Sequence, residues 1–125
     1  MPPEDRPPRP DDRVRYQHML DAAEKAIRLT AGKAPEAMAA DEVLPLALVR
    51  LVEIVGETAW QISEEGRSRC PDLPWQQIIG MRHRIVHAYF AINYAILWKT
   101  VQQSLPALVS RIRPVVEQWS ASSDS

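Results

Sequence analysis

The sequence is poor in cysteine, glycine and phenylalanine. A single cysteine, Cys70, occurs among 125 residues. The chain therefore cannot form an internal disulfide or a cysteine-based zinc site, and a reducing, cytoplasmic setting is expected. The four glycines are isolated, so there is no Gly-rich loop to cradle a phosphate. No apolar run approaches the roughly 18 residues a membrane helix needs, and no charged-then-apolar leader opens the sequence. An excess of one charge is also missing. Fifteen Lys plus Arg stand against 16 Asp plus Glu, for a net charge of −1. No global field draws nucleic acid to such a chain, so any RNA contact must come from a local patch.

Hydrophobic residues make up 46% and charged residues 25%, a balance that favours one folded domain over disorder. Few glycines and short β-branched runs favour helix over sheet. Residues 1–10 hold five prolines and four charges and read as a flexible tail. The domain then spans 11–119, and 120–125 read as a frayed polar end. Asp11 or Asp12 is the expected cap of a first helix over Arg13–Thr30, stopped by Gly32. After a linker of small residues, Asp41 caps a second helix over Glu42–Glu65. Its apolar arc is wider than a surface helix needs, as for a helix covered on two sides, in a bundle or against a second copy. Pro71 and Pro74 bracket a loop. A third helix is expected from Trp75 through Arg82 and His87 to Tyr89, and Asn93 caps a fourth that Pro106 and Pro114 should kink. The expected class is all-α, an antiparallel bundle of four to five helices.

Chemistry concentrates between Gly80 and Phe90. Two of the three histidines, His83 and His87, stand there with Arg82, Arg84 and Tyr89. On a continuous helix, His83 and His87 lie about 100° and 140° from Arg82, on one arc. A guanidinium offers phosphate oxygens a planar fork, and an imidazole exchanges protons near neutrality. Together they suit metal-free RNA cleavage by the adjacent 2′-hydroxyl. The alternative is that Arg82 and Arg84 are solvated and His87 is a satisfied buried histidine. His83 and His87 also have the i, i+4 spacing of a metal pair, with Glu64 and Glu65 as the remaining candidates for a third ligand. Trp60, Trp75, Trp98 and Trp119 are read as core or interface residues. Arg67 with Arg69, and Arg111 with Arg113, are read as solvated surface.

From Arg82 through His87 to Tyr89 the sequence resembles the Arg-x4-His-x-Tyr motif of HepT-like toxins, in the HEPN superfamily. The resemblance runs from about Tyr16 to Leu108. It includes the phrase Arg50 to Ala59, Ser63 with Glu65, Pro74-Trp75, Ile79 to Arg82, Trp98 and Leu105-Pro106. It implies a homodimeric helical bundle whose motif segments form a composite RNA-cleaving cleft. Arg82 and His87 would be the catalytic pair, with no metal or cofactor. The implied partners are an RNA substrate and a nucleotidyltransferase antitoxin that transfers AMP to Tyr89, with no membrane. His83 replaces the family's usual asparagine as an auxiliary group, and Asn93 its usual aspartate. The alternative function is a non-catalytic HEPN dimer that binds the nucleotidyltransferase.

Overall fold

The computed structural model describes residues 11–87 and 91–123, so Tyr89 lies outside the described residues. Helix α1 spans Asp12–Thr30, and Tyr16, Met19, Leu20, Ala23 and Ala26 recur on its buried side. It stops at Gly32 as expected, where φ is 74°, a left-handed angle that glycine takes without steric cost. The linker holds one short helix, α2 (Ala37–Ala40). Asp41 Oδ1 then accepts the backbone N–H of Val43 at 2.9 Å and of Leu44 at 3.3 Å. That cap opens α3 (Val43–Gln61). Leu44, Leu48, Val52, Val55 and Ala59 form its core stripe.

Helix α3 ends at Gln61, short of the expected Glu65, because the chain turns extended at Ile62 and Ser63 starts α4 (Glu64–Arg67). The reason lies in α1. Asp11 stands at the N-cap of α1 without a side-chain capping bond, and Asp12 is already inside the helix. Asp12 is fully buried and reaches across to accept from Ser63 N at 3.1 Å and Ser63 Oγ at 2.5 Å. Ser63 Oγ in turn accepts from Gly66 N at 3.0 Å, and Tyr16 donates its hydroxyl to Gly66 O at 2.8 Å. A continuous helix would pull these groups apart. Arg67 closes the break by donating Nη2 to the last carbonyls of α3, on Ala59 and Trp60.

The expected third helix is not continuous. Residues 75–85 form two short helices, α5 (Trp75–Ile79) and α6 (Met81–Ile85), joined at Gly80. Val86 then leaves helical geometry and makes an antiparallel bridge to Ile92. The fourth helix begins as expected, with Asn93 Oδ1 accepting from Ile96 N at 3.0 Å, and α7 runs over Tyr94–Lys99. Pro106 does not end it. The turn before it widens into a π-helical turn, Thr100–Ser104, because proline lacks the N–H and crowds the carbonyl four residues back. Helix α8 then continues over Leu105–Ser123 with Pro114 inside. Helix α1 packs against both α3 and α8, and α5 and α6 lie on α3, giving an all-α bundle. No described helix is long and apolar enough to cross a membrane.

Candidate active site

The elbow of α5 and α6 sets the candidate residues. Trp75 anchors it through Nε1, which donates to Cys70 O at 3.1 Å. Gly56 lets the elbow sit directly on α3. A Cβ at Gly56 would stand 3.2 Å from Ile79 O and 3.4 Å from Ile78 O. Met81 and Ile85 are buried and fix how the five-residue helix α6 turns. Arg82, His83 and Arg84 are left on its outer side.

Arg82 faces α3. Its Nε lies 2.7 Å from Glu53 Oε2, as an ion pair rather than an aligned hydrogen bond, since Nε–H has no hydrogen-bond partner. Arg50 joins the cluster at 2.7 Å from Glu53 Oε1 and 3.7 Å from Glu57 Oε1. Beside it lies an open cavity of about 300 Å³ lined by Glu53, Gly56, Glu57, Trp60, Ile79, Arg82 and His83. Arg82 and His83 are thus brought together. The Arg82 side chain keeps 35% of its surface exposed, enough for the ends of its fork to meet a phosphate.

His87 is placed differently from the helical expectation. It lies past the end of α6, so the 100° and 140° positions do not apply to it. Its backbone N–H donates to Ala91 O at 2.8 Å, and Asn93 N donates to Ile85 O at 2.7 Å, closing a small loop. The His87 side chain is exposed and does not line the Arg82 cavity. The reading of His87 as a buried core histidine is therefore excluded. Glu64 and Glu65 sit on α4, and no group of three metal-ligating side chains forms among the described residues.

Glu53 was not singled out by sequence reasoning. It stands on the polar stripe of the second helix with Arg50 and Glu57, but nothing in the sequence pairs it with Arg82 rather than Arg84. Three tryptophans behave as expected. Trp75 and Trp119 pack their rings edge-on against Tyr16 at 5.9 and 5.7 Å, and Trp98 packs on the core. Trp60, at 68% exposed, is not part of this chain's core, which leaves the interface reading for it. Arg67 and Arg69, read as solvated surface, stack their guanidiniums over Trp75 and Trp119. Arg113 pairs with Glu24, whereas Arg111 does not. Burial raises the Cys70 thiol above its ordinary pKa, which keeps it an inert core group.

Residues 19–115 match the family described as ribonuclease HepT-like, and the chain belongs to that family. A protein of Caldanaerobacter subterraneus subsp. tengcongensis, named "Putative RNase", is 33% identical over 102 residues, covering 82% of this chain and 91% of its own length. A Methanocaldococcus jannaschii protein, also named "Putative RNase", is 29% identical over 97 residues, covering 78% of this chain and 89% of its own. A Thermococcus cleftensis protein named "Probable ribonuclease HepT" is 35% identical over 68 residues, covering 54% and 62%. No solved structure matches.

Proposed function

We propose that this chain is a metal-independent endoribonuclease, the toxin of a toxin–antitoxin pair, with Arg82 and His87 as its catalytic groups. The observation that carries this is Arg82, set on α6 with its Nε against Glu53 and its side chain lining an open cavity. In this role Arg82 stabilises the charge that builds on the phosphate as the ribose 2′-hydroxyl attacks. His87 takes or gives the proton, and His83 lies at the cavity as a second hydrogen-bonding group. DNA lacks the attacking hydroxyl and is not a substrate.

The chain acts as a homodimer in this reading. The exposed arc of α3 carries Val43 and Leu46 at one end and Trp60 at the other, 68%, 58% and 68% exposed. These apolar groups favour burial against a second copy. A second copy would also enlarge a site that, within one chain, leaves His87 outside the Arg82 cavity. The antitoxin is a nucleotidyltransferase that transfers AMP from ATP onto Tyr89. A bulky anionic adenylate two residues from His87 would occupy the cleft and pair with Arg82. The competing role, a non-catalytic dimer that serves the transferase, has one observation in its favour: Glu53 already neutralises Arg82.

The deciding experiment is digestion of mixed cellular RNA with chelator present, with analysis of the new ends. Cleavage leaving 2′,3′-cyclic phosphate, and its loss in Arg82→Ala and His87→Ala proteins that keep their helical spectra, is expected. No cleavage, or cleavage that needs metal, overturns the enzymatic assignment. Mass spectrometry after incubation with the transferase and ATP should add one AMP, absent in Tyr89→Phe. Addition at another residue overturns that part.

A further inference from the structure

A second cleft lies on the other side of α6 from Arg82. It measures about 460 Å³ and runs between the α5–α6 elbow and the start of α8, a size that suits a small ligand. Its floor is apolar and buried, made of Leu73, Ile78, Met81 and Leu108. Two cations line it, Arg84 and Arg111. Arg84 makes one long contact, Nη2 to Gln77 O at 3.4 Å. Arg111 forms no ion pair among the described residues, unlike Arg113 two residues on, which is held by Glu24. The one carboxylate at the rim, Asp72, pairs with neither. In a chain of net charge −1, two guanidiniums left without carboxylates beside one cleft are an unused anion site.

We propose that this cleft binds one nucleotide unit, its phosphate on Arg84 and Arg111 and its base against the apolar floor. The polar groups of the lining separate a nucleotide from a simple anion or an aliphatic acid. Gln77 and Gln103 each offer a donor and an acceptor, the complement of a base edge. Ser104 and Asp72 can meet ribose hydroxyls. Gln103 and Ser104 belong to the π-helical turn ahead of Pro106, and such turns are frequent at functional sites. The turn is held in place by Gln102 Nε2, which donates to Thr30 Oγ1 at 2.8 Å. The nucleotide can be a residue of an RNA strand that also reaches Arg82, two positions from Arg84 around the short helix α6, or a free mononucleotide. The first source rests on the ribonuclease reading, and the second does not.

Both sources are tested on the full chain. Titration with 5′-AMP is followed by amide shifts at Gln77, Ser104 and Ala107. Binding of a short labelled single-stranded RNA is followed by anisotropy in the His87→Ala background, which slows cleavage. Two variants report on the cleft. Arg84→Ala with Arg111→Ala removes both charges, and Ala107→Trp fills the exposed mouth while keeping them. Each is expected to weaken binding at least about tenfold. The double variant should also flatten the log–log salt dependence of RNA binding by about 0.7, for the one phosphate no longer neutralised. Loss seen with RNA alone marks the strand as the source, and loss with AMP marks the free nucleotide. Unchanged affinity for both probes in both variants overturns the proposal, as does failure of both probes to bind the unaltered chain. AMP binding in this cleft by a protein that cuts no RNA would leave the cleft assigned and end the nuclease reading. Cleavage lost in Arg82→Ala, with RNA and AMP binding untouched in the cleft variants, would do the reverse.

Discussion

Single side chains decide where the helices break. Tyr16 is buried, packed between Trp75 and Trp119, with its hydroxyl on Gly66 O. Burial first, then the neighbouring Cys70 and Asp12, raise its pKa far above the ordinary tyrosine value. The folded chain therefore keeps the phenol proton where the unfolded chain releases it. Stability from this group is full below pH about 10 and falls by about 1.4 kcal/mol for each pH unit above it. Cys70, also raised by burial, adds a loss of the same sign that begins near pH 8.5. Urea midpoints of the wild type should thus decline from about pH 8.5 and more steeply above 10. Tyr16→Phe should lose about 1 kcal/mol at neutral pH, because Gly66 O keeps a second donor in Arg69 N. It should also lose the extra slope above pH 10. An unchanged alkaline slope in that variant would show that Tyr16 is not the group responsible.

Elements position the candidate site through one close approach, that of α3 on the end of α5 at Gly56. A side chain there pushes against backbone carbonyls, which cannot rotate aside, so the elbow carrying Arg82 must shift away from Glu53. Gly56→Val is expected to cost about 1–3 kcal/mol in urea denaturation. It should reduce RNA cleavage by about a hundredfold, the usual penalty for a misplacement near 1 Å. Wild-type cleavage with reduced stability would mean that the elbow does not set Arg82. Much at this scale was legible in the sequence: the Gly32 stop, the caps at Asp41 and Asn93, and the core stripe of α3. The missed features share one cause. Asp12 was read as a local cap, yet its partner Ser63 caps another helix, 51 residues on. Periodicity carried one helix across Gly80 and past Val86, because it cannot register a bridge to Ile92. Arg82 and His83 were legible as a pair on one surface, but Glu53 and the placement of His87 depend on tertiary packing that no spacing rule encodes.

At the scale of the whole molecule, the proposed homodimer raises a question of which copy supplies which group. Within one chain Arg82 lines a cavity and His87 stands outside it. Of the exposed apolar residues of α3, Trp60 lines that cavity, and Val43 and Leu46 stand nearer the start of the same helix. If two copies meet on this arc, the Arg82 of one lies near the partner's His87 segment, and each phosphate is served by both chains. Mixing inactive Arg82→Ala and inactive His87→Ala proteins then restores cleavage. Half of the randomly paired dimers are mixed, and each mixed dimer holds one intact site of two, so roughly a quarter of wild-type activity returns. Adding Leu46→Asp to both variants should separate the copies, seen as a halved mass in sedimentation, and abolish the restoration. If both groups of each site come from one chain, mixing restores nothing, because every site then lacks one of the two. Silence on mixing would therefore move His87 back to its own chain's Arg82, reached by a change in the segment that follows α6.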